Sequence, residues 1–229
     1  MRAVFLDAGH TILEGKPSWF DVWGEALGEF DVTLDREALQ RAYARASDAL
    51  SHVPPDQFTE ETWRQFLREM VANLEVPGRE EEIAERMHRV LSEIRPQYAP
   101  YPEAPDVLGE LRRRGLRLAV VSNWELDLPE VLDRAGLRPF FDVVVASAAV
   151  GAAKPDPRIF RVALDALSVR PEEAVHVGDS YEADVSGARA AGVYPVLLDR
   201  DHVYRQVDCD LIRDLRELLP VLDRLEGRA

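Results

Sequence analysis

The chain has 229 residues, a formal net charge of −14 at pH 7 and a sequence pI of about 4.8. This length allows one full hydrophobic core with a modest second unit. The negative charge opposes nonspecific attraction to nucleic acid and to anionic membrane surfaces. The single cysteine, Cys209, excludes an internal disulfide and a zinc site of clustered cysteines. With no apolar run of membrane-helix length, we expect a cytoplasmic protein without nucleic-acid or membrane partners. The sequence gives no signal for the oligomeric state.

The first predicted elements are one buried strand and four helices. Val4-Phe5-Leu6-Asp7 is a short apolar run that ends in a carboxylate, as expected of a parallel strand. From about residue 17 to 96 the apolar residues recur at helical spacing, which predicts a small helical bundle. The four stripes are Trp19, Trp23, Leu27 and Phe30; Leu39, Tyr43, Ala46 and Leu50; Trp63, Phe66, Leu67, Met70 and Leu74; and Ile83, Met87, Val90 and Ile94. Breaks are predicted at 53–56 and 76–78, where proline and glycine end helices.

After residue 100, strands and helices alternate, which predicts a parallel sheet with right-handed crossovers. The predicted strands are 116–121, 143–146, 174–177 and 193–198, and the predicted helices lie near 126–136, 157–167 and 182–191. A last apolar stripe, Leu211, Leu215, Leu218, Leu222 and Leu225, closes the core. The early strand thus belongs to a sheet whose other strands follow a hundred residues later. We expect a discontinuous core domain of residues 1–16 and 97–229, with a helical domain, 17–96, inserted.

Polar groups follow the strands at one predicted edge of the sheet, where ligands bind in open parallel sheets. Asp7 follows the first strand, Ser122-Asn123 the second, Lys154 the third and Gly178-Asp179 the fourth. Lysine occurs elsewhere only at Lys16, so a lysine in this set is less easily explained as a surface residue. The edge is predicted to hold carboxylates, a hydroxyl and an ammonium group.

The chain carries, in order, Asp7, Ser122, Lys154 and an acidic pair, Asp179 and Asp184. This order resembles the haloacid dehalogenase superfamily over nearly the whole chain. The stretches Arg114 to Asn123, Lys154 to Phe160 and His176 to Asp179 are most similar to the subgroup named haloacid dehalogenase-like hydrolase domain-containing protein 3. The resemblance implies an α/β fold with a Rossmann-like parallel sheet core and an inserted helical cap. It also implies a hydrolase, a phosphatase of small phosphorylated molecules, with Mg²⁺ as cofactor.

In phosphatases of this family the first Asp, here Asp7, attacks phosphorus and forms an aspartyl phosphate. Two anions repel each other, and Mg²⁺ compensates by bridging the carboxylate and a phosphoryl oxygen. Asp179 and Asp184 match the acidic pair that binds the metal, and the backbone carbonyl of Gly9 matches a further ligand. Another interpretation of Asp184 is a carboxylate in the first turn of a helix, where the helix dipole stabilises it.

The resemblance gives the remaining motif residues roles around the phosphoryl group. Ser122 would donate its hydroxyl to the transferring group, together with the backbone amide of Asn123. Lys154 would neutralise phosphoryl oxygens and orient Asp7. A serine in a strand-end turn and a surface lysine are the alternatives without function.

The sequence departs from the family at Gly9, where phosphatases carry a second Asp that protonates the leaving group. Glycine cannot do this, and the loss of a positioned acid or base typically costs on the order of 10²- to 10⁴-fold in rate. The backbone carbonyl that the metal uses is retained. His10 is adjacent and has a suitable intrinsic pKa, so we consider it as a substitute acid and base.

Three other interpretations fit parts of the pattern. A metal-free 2-haloacid dehalogenase also lacks the second Asp, but Gly178-Asp179 has the form typical of phosphatases. A phosphonoacetaldehyde-type hydrolase would need a Schiff-base lysine in the cap, for which Lys16 is the only candidate. A binding or regulatory protein without turnover would keep the fold and these residues. For the substrate pocket, Trp19 and Trp23 in the helical part and Trp124 beside Ser122-Asn123 are the candidate walls.

Overall fold

The computed structural model describes residues 1–32, 36–50, 53, 59–74, 76, 78–94 and 97–227. The chain divides into two compact units. We call them the sheet unit, Met1–Glu14 with Tyr98–Ala229, and the helical unit, Gly15–Gln97. These bounds lie close to those expected from the sequence. That the two units are separate domains of the kind predicted is a proposal.

Six parallel strands form the main sheet of the sheet unit. The strands in chain order are β1 Ala3–Leu6, β2 Leu13–Lys16, β3 Gln97–Pro100, β4 Arg117–Ser122, β5 Val143–Ala146, β6 Ala174–Gly178, β7 Tyr194–Leu198 and β8 Asp210–Ile212. The main sheet has the order β5-β4-β1-β6-β7-β8, and β2 pairs with β3 in a separate two-stranded sheet. All five strand pairs of the main sheet are parallel. The predicted α/β fold with a Rossmann-like parallel sheet is confirmed.

Helices of the sheet unit cover both faces of this sheet, and the first four helices of the chain belong to the helical unit. The helices in chain order are α1 Trp19–Gly28, α2 Arg36–Leu50, α3 Glu60–Ala72, α4 Glu80–Glu93, α5 Ala104–Arg113, α6 Leu128–Arg134, α7 Ser147–Val150, α8 Pro157–Leu167, α9 Gly187–Ala190 and α10 Leu218–Leu225. Val4 and Leu6 of β1 belong to the core that α5, α6 and α10 cover. Ala3 and Phe5 belong to the core on the α8 side. This alternation is the two-residue period of a strand buried on both faces.

The pairing of β1 places the carboxyl ends of three strands at one edge. Leu6 pairs with Val120 of β4 and with Val177 of β6. The N–H of Asp7 then donates to the carbonyl of Val177 at 2.9 Å. The residues that follow β1, β4 and β6 therefore come together, as the motif order predicts.

The C-terminal stripe differs in part from the prediction. Its first leucine, Leu211, lies in β8, a strand that the sequence did not indicate, because apolar spacing alone does not separate a short edge strand from a helical turn. Leu215, Leu218 and Leu222 are buried in the core as predicted. The N–H of Arg216 donates to the Asp214 side chain at 2.8 Å, which starts the helical segment.

The helical unit contains the four predicted helices and a core of its own. Its buried side chains are Phe20, Trp23, Ala26, Leu27, Leu39, Ala42, Ala46, Leu50, Phe66, Leu67, Met70, Val71, Leu74, Ile83, Ala84 and Met87. Trp63 was predicted in the buried stripe but is 44% exposed. Thr62 takes the buried position in the first turn of α3, and the next residue is rotated by about 100° around the helix. Of the predicted breaks at 53–56 and 76–78, Val53, Val76 and Gly78 lie between helices as predicted, and residues 54–56 and 77 lie outside the described residues.

Candidate active site

Three carboxylates from different parts of the chain meet at the carboxyl edge of the sheet. Asp7 follows β1, Asp179 follows β6, and Asp184 lies in the π-helical turn Tyr181–Ser186. One carboxylate oxygen from each lies within 4.8 Å of the others. Such a cluster of oxygen ligands suits a hard divalent cation.

Lys154 joins two of these carboxylates. Its Nζ lies 2.5 Å from Asp7 Oδ1 and 2.6 Å from Asp184 Oδ1, and its side chain is 3% exposed. Burial alone would lower the pKa of Lys154, but the carboxylates of Asp184 and Asp7 raise it above its ordinary value. The group is therefore an ammonium that orients the Asp7 carboxylate.

The loop after β4 supplies Ser122 and Asn123. Ser122 is buried, and its side chain lies close enough to Asp7 to favour the charged form of that carboxyl. The Asn123 side chain makes two bonds to the backbone of Lys154: Nδ2 donates to its carbonyl at 2.9 Å, and Oδ1 accepts from its N–H at 2.7 Å. The sequence suggested only a backbone role for Asn123. The structure adds that its side chain fixes the lysine backbone.

Asp184 accepts hydrogen bonds from three directions. Besides Lys154, His176 Nε2 lies 2.7 Å from Oδ1, and the N–H of Ser180 donates to Oδ2 at 3.0 Å. Burial would raise the pKa of Asp184, but the Lys154 ammonium and the His176 hydrogen bond hold it below its ordinary value. Asp184 is therefore an anion inside the protein, held in one orientation.

The negative charges of Asp179 and Asp7 are less fully stabilised by neighbouring groups than that of Asp184. Burial, together with the charges of Asp7 and Asp184, raises the pKa of Asp179 well above its ordinary range. Burial also raises the pKa of Asp7, against the opposing charge of Lys154. Asp7 and Asp184 are buried and Asp179 is half-buried. One lysine among these three carboxylates leaves an excess of negative charge that a divalent cation would neutralise.

Gly9 lies beside Trp124. A Cβ built on Gly9 would come 3.5 Å from Trp124 Cζ3, an ordinary van der Waals contact. Trp124 itself is fixed by a hydrogen bond from Nε1 to Asp127 Oδ1 at 3.1 Å and by an edge contact with Tyr98. The structure thus places one predicted pocket tryptophan, Trp124, next to Gly9.

The other predicted pocket and acid–base residues have different surroundings. Trp23 is 1% exposed and packs in the core of the helical unit against Phe20 and Tyr43, which corrects its assignment as a pocket wall. The Trp19 side chain lies outside the described residues. His10 has a left-handed backbone with φ of 54° in the turn after Asp7, and its role as an acid and base stays a prediction.

Comparison with known proteins agrees with this geometry. Residues 1–192 match the family model of haloacid dehalogenase-like hydrolases. The chain is 32% identical to the human haloacid dehalogenase-like hydrolase domain-containing protein 3, over 99% of this chain and 96% of that protein. The chain belongs to the haloacid dehalogenase-like hydrolases. The predicted superfamily and the likeness to this subgroup are confirmed.

Two further relatives of this hydrolase carry more specific names. A phosphoserine phosphatase of Thermus thermophilus is 42% identical, over 86% of this chain and 74% of the relative. The crystal structure of a phosphatase of the haloacid dehalogenase family from Thermococcus onnurineus covers 97% of this chain and 98% of that chain, with a TM-score of 0.62 and 29% identity. Among the residues that the structure describes, no helix of this hydrolase is long and apolar enough to cross a membrane.

Sequence reasoning missed two residues at this edge of the sheet, beside the candidate site. His176, which hydrogen-bonds Asp184, is the one polar residue inside the apolar strand β6. Arg200 follows the predicted strand 193–198, whose carboxyl end lies at the same edge as Asp7. Both had a usable signal: a polar side chain within a buried run, and a charged residue just beyond a strand of the active-site edge.

Proposed function

We propose that this hydrolase is a Mg²⁺-dependent phosphohydrolase that acts on a small phosphate ester through an aspartyl phosphate at Asp7. The observation that carries the proposal is the cluster of Asp7, Asp179 and Asp184 within 4.8 Å, with Lys154 Nζ 2.5 Å from Asp7. The phosphatase names of the relatives from Thermus thermophilus and Thermococcus onnurineus support the substrate class.

The residues present suit the chemistry. A carboxylate oxygen of Asp7 forms the bond to phosphorus while the ester P–O bond breaks, and water then displaces Asp7 from phosphorus. Lys154 and Ser122 would hold oxygens of the transferring group, since Lys154 contacts Asp7 and Ser122 lies beside it. Bound Mg²⁺, held by Asp7, Asp179, Asp184 and the Gly9 carbonyl, would supply charge neutralisation between the two anions.

Gly9 determines which esters react well. An alkoxide leaving group needs a proton, and Gly9 has no side chain to donate it. Esters with a leaving group of low pKa are therefore expected to react faster than alkyl esters. The 3.5 Å clearance to Trp124 leaves room for a Cβ, so an aspartate can be introduced at this position.

The test is phosphate release from an activated aryl phosphate, with and without Mg²⁺. We expect metal-dependent release by the wild type, its loss in Asp7→Asn, and a gain on alkyl phosphates in Gly9→Asp. Asp133→Asn, the same charge change at an exposed residue of α6, serves as the control. A mass increase of one phosphoryl group on Asp7 after rapid quenching would identify the intermediate.

Other outcomes would support the other interpretations. Chloride release from a small 2-chloroacid without Mg²⁺ would favour the dehalogenase. Substrate-dependent trapping of Lys16 by borohydride would favour the Schiff-base hydrolase. Tight phosphate binding with no turnover in any variant would favour a binding protein. The cytoplasmic location and the absence of nucleic-acid and membrane partners stay predictions from composition and charge.

A further inference from the structure

Arg200 contacts the turn that follows the nucleophile. It lies two residues beyond β7, in the sheet unit. Its Nε donates to the carbonyl of His10 at 3.0 Å, and its Nη2 donates to the carbonyl of Thr11 at 2.8 Å. One planar guanidinium thus bonds two successive carbonyls of the segment that begins at Asp7.

Two other residues fix the guanidinium itself. Glu103 Oε1 lies 2.6 Å from Nη2, with side chains 5% and 14% exposed for Glu103 and Arg200. Arg200 Cζ stands 3.8 Å from the centroid of the Tyr101 ring, a cation–π contact. A partly desolvated arginine with this many partners has little freedom to move. We call Arg200, Glu103 and Tyr101 the arginine clamp.

The turn that the clamp holds has an unfavourable backbone conformation. His10 has φ of 54°, a region that residues other than glycine rarely adopt. Such conformations persist where surrounding contacts determine them, and they are frequent at active sites. The bond from Arg200 to the His10 carbonyl is one such contact, and the bond from the His10 N–H to Leu13 is another.

The loop that carries Arg200 is itself tied to the other side of the site. Asp199 is buried and accepts the N–H groups of Val203 and Tyr204 at 2.8 Å and 3.0 Å. The Tyr204 hydroxyl accepts the N–H of Tyr181 at 3.1 Å, at the start of the turn that holds Asp184. A chain of contacts therefore connects the turn after Asp7, through Arg200 and its loop, to the turn that holds Asp184.

We propose that Arg200 is a positioning residue. By holding the turn after Asp7, it fixes the positions of the Asp7 carboxylate and the Gly9 carbonyl relative to Asp179 and Asp184. This inference rests on the proposed function, because it assigns Arg200 to the geometry of that metal site and nucleophile. A residue that only stabilises the fold would affect unfolding and leave metal affinity and turnover per folded molecule unchanged. The two roles therefore differ in measurable quantities.

The experiment compares Arg200→Met and Arg200→Lys with Arg114→Met. Arg114 is a matched control, because its side chain is 20% exposed and bonds Glu110 and Asp223, both at 2.8 Å, away from the catalytic residues. For each folded variant we would measure Mn²⁺ affinity by electron paramagnetic resonance without substrate. We would also measure kcat and KM for an activated aryl phosphate, and the unfolding temperature.

For Arg200→Met we expect kcat to fall by about 100-fold with KM changed less than about threefold, since the nucleophile is misplaced while substrate binding remains. Mn²⁺ affinity should fall by about tenfold, as is usual when a group that orients a ligand is removed. Arg200→Lys should lie between this variant and wild type. Arg114→Met should lower only the unfolding temperature.

Chemical rescue covers the case in which Arg200→Met folds poorly. Low concentrations of guanidinium ion should restore turnover and Mn²⁺ affinity to Arg200→Ala, and should not change Arg114→Ala. Folded Arg200 variants with wild-type kcat and Mn²⁺ affinity, or no rescue of Arg200→Ala, would overturn the inference while the proposed function stands. A wild type that neither binds Mn²⁺ nor releases phosphate would overturn both.

Discussion

His176 Nε2 lies 2.7 Å from Asp184 Oδ1 in the buried interior of the sheet unit. An ionised carboxylate only accepts hydrogen bonds, so the proton lies on Nε2. His176 Nδ1 is buried and has no hydrogen-bond partner among the described residues. The edge of the ring packs against Phe160, with 4.9 Å between centroids. Among the described residues, His176 thus makes one side-chain hydrogen bond, which it donates from Nε2 to Asp184.

We predict that metal binding by Asp184 depends on a hydrogen-bond donor at position 176 and does not need an imidazole ring there. His176→Gln, whose amide can donate in place of Nε2, should keep metal affinity within about threefold of wild type. His176→Leu should lower it by about tenfold or more, because outer partners orient ligating carboxylates. Calorimetric Mg²⁺ titration of both folded variants is the measurement. Equal affinities for the Gln and Leu variants would contradict the prediction.

Gly178 is predicted to tolerate no side chain. A Cβ there would overlap the Asp184 carboxylate, which His176 and Lys154 prevent from moving away. Gly178→Ala should therefore abolish metal binding or cost several kcal/mol of unfolding free energy. Gly109→Ala in α5 is the control, since its Cβ would meet only Phe140 at 3.9 Å, and it should stabilise the helix by about 1 kcal/mol. Urea denaturation of both variants tests this, and a harmless Gly178→Ala would refute it.

Asp179→Asn should stabilise the metal-free protein. Burial and the neighbouring carboxylates disfavour the charged form of Asp179 and raise its pKa, so above the ordinary titration range of a carboxyl group this side chain lowers the stability of the fold. Removing it should raise the unfolding temperature in a chelator by about 2–4 °C for each kcal/mol gained. Added Mg²⁺ should raise the unfolding temperature of wild type but not of the variant. If chelator-treated Asp179→Asn melts below wild type, the charge-crowding argument is wrong.

Thr11→Val tests a buried hydroxyl. Thr11 is fully buried, and its Oγ1 has no hydrogen-bond partner among the described residues. Replacing it with a methyl group should leave the free energy of unfolding unchanged or raise it by about 1 kcal/mol. Thr59→Val makes the same change where the hydroxyl accepts the Thr62 N–H at the start of α3, and should cost about 1 kcal/mol. Chemical denaturation should therefore give changes of opposite sign or clearly different size.

Glu173→Gln should lower the free energy of unfolding slightly above about pH 4.5 and leave it unchanged near pH 2. Hydrogen bonds from the Arg170 side chain and backbone lower the pKa of Glu173 from 4.5 to about 2. The folded state thus favours the charged form, so its contribution is present above about pH 4.5 and is lost as the pH falls towards about 2. Urea midpoints measured down to that pH should show a small advantage of wild type over Glu173→Gln that disappears in acid. A constant difference at all pH values would contradict the assignment.

Sequence patterns located most of the motif residues because parallel strands carry their ligands at one edge. Asp7, Ser122, Lys154, Asp179 and Asp184 were all predicted from strand ends and motif order, and the structure brings them together. What spacing could not predict are bonds between distant segments, such as those of the Asn123 side chain with Lys154 and of Arg200 with His10. Such contacts depend on which strands lie next to each other in the sheet, and residue spacing along the sequence does not specify that order.

The error at Trp63 has a different origin. The apolar stripe of α3 begins at Trp63 in the sequence, but the apolar core that the helix packs against does not extend to that residue. In the first turn of α3 the buried residue is Thr62. Amphipathic spacing predicts that a helix has a buried face and does not predict how far along the helix the burial extends.

The central position of β1 in the main sheet has a consequence for synthesis. β1 is complete at Leu6, but its two neighbours begin much later, β4 at Arg117 and β6 at Ala174. The helical unit, which has its own apolar core, emerges from the ribosome in between and has all the residues of that core before β1 has any partner. Until then β1 is a short apolar strand with two open edges, the kind of segment that pairs with other chains. Asp7, the proposed nucleophile, therefore follows the strand that stays unpaired longest during synthesis.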